Sequence, residues 1–343
     1  MQVTFWGTRG SIAKPGPGTV RYGGNTSCVE VGSSAGTLVV VDCGTGAHEL
    51  GLDLLRRAGG APIRGHLFIG HAHWDHIQGL PFFSPLFQPG NEWNIYGPSG
   101  AGSSLSEILA GQMEYRYFPV AIDQLASGVR YHDLVEGTLD LDDLTVSTRY
   151  LNHPALTLAY RFEADGASIV YASDHEPHEP GLAAGGDVGQ NRHDDAHAAF
   201  AAGADLLVHD AQYRAAEYAD RAGWGHSTFE YAVEVAHRAD VGRLALFHHD
   251  PSRTDDRMDE LVTAARAHAA SIGYRGEVFA AKEGMRVELD PRTSPRRSTG
   301  PQVSAVLEPA LAPELLSVVI VARTAEIASV LTQAAGPAGF EVT

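Results

Sequence analysis

The chain has 343 residues, of which 44% are hydrophobic and 20% charged, and this composition predicts a globular protein with a large buried core. The 25 Lys and Arg against 42 Asp and Glu give a formal net charge of −17, which argues against a long nucleic acid and favours a small substrate. The N-terminus lacks the pattern of a signal peptide, and no apolar run reaches the roughly 18 residues of a membrane span, so we expect a cytoplasmic protein with no membrane partner.

Strand-like runs dominate the first part of the chain. VTFWG, TSCVEV and TLVVVDCG predict successive strands, AHELGLDLLRRAG predicts a helix, and HLFIG predicts a further strand. Later strands are predicted at WNIYGP, GVRYHDL, LTVSTRYL, LTLAYRFEA, SIVYAS, DLLVHDA, RLALFHH, GEVFAA and MRVEL. Helices are predicted between them at SSLSEILAGQM, HDDAHAAFAAG, STFEYAVEVAHRA and TDDRMDELVTAARAHAASIG. This order favours two packed sheets with helices outside.

The composition changes after residue 290. We interpret residues 1–290 as one domain and residues 291–312, which are rich in Pro, Ser and Thr, as a linker. Residues 313–343 give an apolar strand, an amphipathic helix and the start of a second strand, a partial βαβ pattern that resembles the beginning of a response-regulator receiver domain. The segment ARTAE stands where such receivers carry acidic residues, so phosphoacceptor chemistry is not expected.

Three histidines and one aspartate lie within six residues directly after the predicted strand HLFIG. His71 and His73 are two residues apart on extended backbone, so their side chains point the same way, and Asp75 and His76 follow in a turn that can fold back. Imidazole nitrogen and carboxylate oxygen suit zinc, manganese or iron, and a mixed set can hold two cations close together. The alternative interpretation is a solvated polar loop without a metal.

Further residues of ligand type follow later predicted strands. His153 ends LTVSTRYLNH, Asp174 ends SIVYASD, and His248 ends RLALFH. His249 is the alternative to His248, and the sequence NHP is also compatible with a plain turn before a proline. Asp42, at the end of TLVVVDCG, is expected to orient a ligand histidine.

The segment HAHWDH resembles the HxHxDH signature of the metallo-β-lactamase superfamily, and the three downstream residues fall in the order that this superfamily uses. The resemblance covers about residues 1–290 and implies an α/β fold, an αββα sandwich with a dinuclear site at one edge. It implies two divalent cations, with zinc expected and manganese or iron as alternatives. It further implies one cation on His71, His73 and His153, a second on Asp75, His76 and His248, and Asp174 as the bridge.

Two later segments, LLVHDAQY and GWGHSTFEYAVEVA, resemble the phosphodiesterase branch, which includes ribonuclease Z and the phosphonate-pathway cyclic phosphodiesterase. By this resemblance Asp210 orients His226, and His226 protonates the alkoxide that leaves in phosphodiester cleavage. We therefore place Asp75, Asp210 and His226 in the catalytic set. The alternative is a structural Asp210 and a His226 that merely precedes a helix capped by Ser227.

A small phosphodiester, such as a cyclic nucleotide, is the expected substrate. The two cations would share a water, lower its pKa and so supply a hydroxide nucleophile. Only about twenty residues separate His153 from Asp174, which leaves no room there for the arm that ribonuclease Z uses for tRNA. The alternative function is thioester or lactone hydrolysis of the glyoxalase II or lactonase type, which would not need His226. We also expect a homodimer.

Two neighbouring regions carry weaker expectations. The glycine-rich loop at residues 175–195 contains three histidines and is compatible with a lid, a substrate contact, a further metal or a plain surface loop. The rings of PFFSPLFQPG and Trp93 follow the metal motif and offer surface for stacking a base, although most of them are expected to pack in the core.

Overall fold

The structure is a computed structural model, and it describes residues 1–100 and 102–289. Two seven-stranded sheets form the centre of this part of the chain. The first sheet has the strand order β14-β1-β2-β3-β4-β5-β6, and its strands are β1 (Gln2–Gly7), β2 (Cys28–Gly32), β3 (Leu38–Val41), β4 (Arg64–Phe68), β5 (Glu92–Pro98), β6 (Gly128–Leu134) and β14 (Arg286–Glu288).

The second sheet repeats this plan. Its order is β13-β12-β11-β10-β9-β8-β7, and its strands are β7 (Gly137–Leu141), β8 (Leu144–Tyr150), β9 (Leu158–Ala164), β10 (Ala167–Ala172), β11 (Leu206–Asp210), β12 (Arg243–Phe247) and β13 (Glu277–Ala280). In each sheet one half is antiparallel and the other parallel, with β3 to β6 parallel in the first and β10 to β13 parallel in the second. The carboxyl ends of parallel strands meet at one edge of a sheet, which is where the loops that matter for function are placed.

Helices cover the outer faces of the two sheets. Ser104 caps α3 (Leu105–Gln112) through a capping box with Glu107, and Thr228 caps α6 (Phe229–Arg238) by accepting from the backbone N–H of Tyr231. The expected cap Ser227 is not used, because its hydroxyl donates to the carbonyl of His175 instead. The helices are α1 (Ala47–Ala58), α2 (Trp74–Ile77), α3 (Leu105–Gln112), α4 (Arg192–Phe200), α5 (Ala215–Tyr218), α6 (Phe229–Arg238) and α7 (Asp255–Ile272).

Three apolar layers hold the sandwich together. Between the sheets, Phe68 of β4 packs in one cluster with Leu206 and Val208 of β11. Leu207, between those two, points to the opposite face and joins a cluster that includes residues of α4, α6 and α7. A third cluster packs α1 against the outer face of the first sheet. This alternation on strands buried on both faces is typical of a sheet covered by helices, and the αββα prediction is confirmed.

Several smaller expectations have outcomes in the described residues. None of the described helices is long and apolar enough to cross a membrane. Trp93 is fully buried between the first sheet and its outer layer, so it offers no surface for stacking. The predicted linker at 291–312 and the partial βαβ segment at 313–343 lie outside the described residues, and the proposed domain division stays a prediction.

Candidate metal centre

The parallel halves of both sheets deliver polar side chains to one place. His71 follows β4, Asp174 follows β10, and His248 follows β12 directly. Asp42 follows β3, and Asp210 is the last residue of β11. The topology thus gathers residues that are far apart in sequence at the carboxyl ends of strands from both sheets.

The motif at 71–76 forms an extended turn into a one-turn helix. His73 has extended φ and ψ angles of −65° and 150° and stands at the N-terminal end of α2, which carries Asp75 and His76. The backbone N–H of His76 donates to the carbonyl of His73 at 3.0 Å. Because of this turn, His71, Asp75 and His76 are buried while His73 remains exposed.

The first cluster contains His71, His73, His153 and Asp174, each offering one atom within 4.8 Å of the others. His73 Nδ1 lies 3.2 Å from His153 Nε2. Asp174 Oδ2 lies 3.6 Å from His71 Nε2 and 3.9 Å from His153 Nε2. Four nitrogen and oxygen atoms so arranged match a tetrahedral cation site, whose ligands stand roughly 3.3 Å apart when each bond is about 2.0–2.1 Å.

The second cluster contains Asp75, His76, His248 and the other oxygen of Asp174. Asp75 Oδ2 lies 3.1 Å from His248 Nε2 and 3.3 Å from His76 Nε2. Asp174 Oδ1 lies 3.2 Å from each of these two imidazole nitrogens. The two carboxylate oxygens of Asp174 therefore face different clusters, which is the geometry of a bridging ligand.

Buried nitrogen atoms without a hydrogen-bond partner indicate whether these residues suit a cation. Among the described residues, neither ring nitrogen of His71 nor Nε2 of His76 has a hydrogen-bond partner, although both side chains are buried. Burial lowers the pKa of His71 well below its usual value, so the ring is neutral and one of its nitrogens has a lone pair free to coordinate. Burial raises the pKa of Asp174, but His248, His76 and His71 outweigh it and keep the carboxyl ionised. The donor set fits divalent cations, and the clusters indicate a dinuclear metal site.

A third group, which contains Asp174, Asp210, His226 and His248, overlaps the first two clusters, and in it a buried imidazole is held by a carboxylate. His226 Nδ1 donates to Asp210 Oδ2 at 2.8 Å and lies 3.9 Å from Asp174 Oδ2. Asp210 Oδ1 accepts from the backbone N–H groups of Gln212 and Ser227, which fixes the carboxylate in place. Burial opposes the charged form of His226, but the charge and hydrogen bond of Asp210 raise its pKa to about 9.

Comparison with known families adds to this geometry. A model of the β-lactamase superfamily domain matches residues 37–249, which contain both clusters and the His226–Asp210 pair. The chain belongs to the metallo-β-lactamase superfamily. It is 28% identical over 336 residues to a protein named ribonuclease Z from Natronomonas pharaonis, with 84% of this chain and 98% of that protein covered.

Solved structures agree on the fold of this superfamily member. Human tRNase Z, short form, has a TM-score of 0.54 and 22% identity, with 84% of this chain and 99% of that chain covered. A diphosphatase from the PhnP family has a TM-score of 0.55 and 18% identity, covering 84% of this chain and 98% of its own. With the metal clusters, these findings identify a metal-dependent hydrolase of the metallo-β-lactamase superfamily.

Contacts behind the clusters orient the imidazoles. His76 Nδ1 donates to Asp42 Oδ2 at 2.6 Å, so the contact expected for Asp42 is present. Asp42 also accepts from the hydroxyl of Tyr171 and from the backbone N–H of Gly70. Such partners fix which nitrogen of a histidine faces a metal, and losing them typically weakens metal binding about 10–100-fold.

Sequence reasoning missed the residues that contact two further ligand histidines, His248 and His153. Gln212 Oε1 lies 3.3 Å from His248 Nδ1, while its Nε2 donates to the hydroxyl of Ser11. The carbonyl of Gly225 accepts from His153 Nδ1 at 3.0 Å. Gln212 lies in HDAQY and Gly225 in GWGH. Only the fold shows that the side-chain amide of Gln212 and the carbonyl of Gly225 contact these two histidines. A Cβ at Gly225 would lie 2.1 Å from His153 Nδ1, so no larger residue fits.

Backbone strain concentrates at the same strand ends. Asp42, Asp174 and His248 all have positive φ angles of 58°, 62° and 58°. Non-glycine residues adopt this left-handed conformation at a cost of about 1–3 kcal/mol each, and it persists only where surrounding contacts enforce it. The fold thus holds three residues of the site in conformations that the isolated chain would avoid.

The remaining histidines near the site have other partners. His249 Nε2 donates to the carbonyl of Ala281 at 2.9 Å, and within the described residues it joins no ligand cluster. His209 Nδ1 donates to the carbonyl of Asp210. In the loop at 175–195, His175 is buried with its ring stacked at 3.9 Å on His197, and no cluster there was found among the described residues.

Proposed function

We propose that this chain is a phosphodiesterase that hydrolyses a small phosphodiester. The observation that carries the proposal is the buried His226–Asp210 pair beside the two metal clusters. A metal centre alone serves thioester and lactone hydrolysis equally well. An imidazole kept protonated by a carboxylate is specifically useful when an alkoxide must leave.

The proposed ligands divide as the distances suggest. His71, His73 and His153 would hold one cation, and Asp75, His76 and His248 the other, with one oxygen of Asp174 for each. Two bound divalent cations would supply a hydroxide nucleophile near neutral pH and neutralise the phosphate oxygens. We propose zinc, with manganese and iron as alternatives, because the mixed imidazole and carboxylate set accepts all three.

His226 would act as the general acid through its free ring nitrogen. Its Nδ1 proton is committed to Asp210, so the proton available for transfer is the one on Nε2. A pKa raised to about 9 keeps that proton in place at neutral pH, and Asp210 stabilises the charge until the proton is given up. Asp75, which we also place in the catalytic set, accepts from the backbone N–H of Ser11 at 2.7 Å.

Two features support a small substrate. Between His153 and Asp174 the chain forms only the hairpin of β9 and β10, with no inserted arm for tRNA. The net charge of −17 also disfavours a long polyanion. The relative from Natronomonas pharaonis is named ribonuclease Z, which supports phosphodiester chemistry. We propose that this chain applies that chemistry to a small diester such as a cyclic nucleotide.

The test combines metal analysis of the purified chain with a substrate panel. The panel contains 2′,3′-cyclic, 3′,5′-cyclic and linear phosphodiesters, a thioester series and a lactone series. We expect about two metal equivalents and turnover of at least one phosphodiester well above background. Rapid thioester or lactone turnover with phosphodiester rates at background would reject the proposal. The expected homodimer is checked by light scattering on the same sample.

A further inference from the structure

Four exposed apolar side chains lie on segments that carry the metal centre. Among the ten large hydrophobic side chains left exposed in the described residues are Ile12, Trp74, Leu156 and Trp224. Ile12 follows Ser11, whose N–H contacts Asp75, and Leu156 lies three residues beyond the proposed ligand His153. The two tryptophans have the largest apolar faces of the four.

Trp74 stands next to the exposed ligand of the first cluster. It separates the proposed ligands His73 and Asp75 and is 78% exposed. His73 is exposed as well, whereas Asp75 is buried. The solvent-exposed end of the metal motif therefore carries an exposed indole.

Trp224 is presented on a turn that a buried carboxylate holds in place. Glu176 accepts from the backbone N–H of Gly223 at 2.6 Å and from that of Gly225 at 2.8 Å, and also from the hydroxyl of Tyr218 at 2.6 Å. Trp224 stands between the two clamped glycines and is 61% exposed. Its exposure thus belongs to a backbone fixed on both sides.

A short chain of contacts connects the two tryptophans. His73, next to Trp74, lies 3.2 Å from His153, and His153 donates to the carbonyl of Gly225, next to Trp224. His226, the proposed acid, follows one residue later. Both tryptophans therefore lie on segments that contact each other at the first cluster.

We propose that Trp74 and Trp224 determine specificity by binding a nucleobase carried by the phosphodiester. This inference rests on the proposed function and adds the chemical class of the group beside the scissile phosphate. An indole offers a flat apolar face of the kind on which bases stack with little sequence preference. The cations would bind the phosphate of any diester, so discrimination among diesters must come from contacts such as these.

The experiment uses the full chain loaded with metal and two substrates with the same leaving group. These are thymidine 5′-(4-nitrophenyl phosphate) and methyl 4-nitrophenyl phosphate. They differ in the second ester group, which is a thymidine in the first and a methyl group in the second. We expect kcat/KM to favour the thymidine substrate at least about tenfold, and Trp74→Leu and Trp224→Leu each to reduce that ratio by roughly 5- to 100-fold. Trp74→Phe and Trp224→Phe, which keep a flat ring, should retain most of it.

A matched control and a second readout accompany the kinetics. Leu52 is 46% exposed on α1, away from the metal loops, and Leu52→Ala should leave the ratio unchanged. Adenosine 5′-monophosphate should inhibit the wild type more strongly than ribose 5-phosphate, and the leucine variants should lose this difference. Metal content and melting temperature confirm that each variant is folded.

The possible failures are distinguishable. Equal kcat/KM for the two substrates in the wild type, or leucine variants with an unchanged ratio, would overturn the role of the tryptophans and leave the phosphodiesterase intact. If the metal-loaded wild type hydrolyses neither substrate, the proposed function is overturned and this inference with it.

Discussion

Replacing His226 by alanine tests the proposed chemistry most directly. The side chain makes its hydrogen bond to Asp210, its Nδ1 lies 3.9 Å from Asp174 Oδ2, and its ring stacks on that of His248 without joining either of the first two clusters. Its removal should therefore leave both clusters assembled while taking away the proton for the leaving oxygen. We expect His226→Ala to retain about two metal equivalents and to lose turnover.

The magnitude depends on the leaving group. General acid catalysis typically contributes about 10²–10⁴-fold, which corresponds to roughly 2.7–5.4 kcal/mol of transition-state stabilisation. A departing nucleoside alkoxide should show this whole loss. A 4-nitrophenolate leaves as a stable anion and needs no proton, so the same variant should hydrolyse bis(4-nitrophenyl) phosphate with only a small change.

The assay compares kcat for a dinucleoside monophosphate and for bis(4-nitrophenyl) phosphate, in the wild type and in His226→Ala. His48, exposed on α1, provides the matched control His48→Ala, which should be unaffected with both substrates. Because the charge and hydrogen bond of Asp210 raise the pKa of His226, the wild-type rate on the dinucleotide should fall on the alkaline side, as His226 loses its proton. Equal losses on both substrates, or loss of metal from His226→Ala, would refute the assignment.

Three further variants test the contacts that support the site. Asp42→Asn should weaken metal binding about 10–100-fold, measured by competition with a chelator, because His76 loses the carboxylate that orients it. Gly225→Ala should also lose metal, since a Cβ there overlaps the ring of His153; unchanged metal content would contradict that geometry. His249→Gln should keep its metal. Burial lowers the pKa of His249 to about 3, so below about pH 6.5 the unfolded chain binds a proton that the folded chain does not. The wild type should therefore lose roughly 2–3 kcal/mol more stability than His249→Gln between pH 7 and 4.5, measured by urea unfolding.

The sequence predicted the fold because apolar runs mark the strands, and it predicted the clustered residues because they stand at the ends of those strands. Strands were recognisable from apolar runs, and a polar residue directly after such a run is placed by the sheet itself. Asp174 and His248 come after β10 and β12, which the parallel half of the second sheet aligns at one edge. The three histidines and the aspartate of HAHWDH lie beside Asp174 and His248 because of one local turn.

The parts that the sequence did not reveal depend on contacts across the fold. Gln212 reaches His248 across thirty-six positions, and the carbonyl of Gly225 reaches His153 across seventy-two. No periodicity records such pairs, and a main-chain carbonyl has no signature in residue identity. The aromatic residues show the same limit, because Trp93 and Trp224 differ in burial, from fully buried to 61% exposed, for reasons that lie in tertiary packing.

The buried ligands and the exposed tryptophans differ in how freely they can be substituted. Most of the proposed ligands are buried at strand ends, where strained backbone conformations at Asp174 and His248 leave little freedom to change. Trp74 and Trp224 are exposed, and among the described residues neither belongs to a ligand cluster. A change at either indole can therefore alter which diester binds without disturbing the metals. Substrate preference should accordingly respond to substitutions at these two positions far more readily than metal content does, and measuring both quantities on the same variants separates the two.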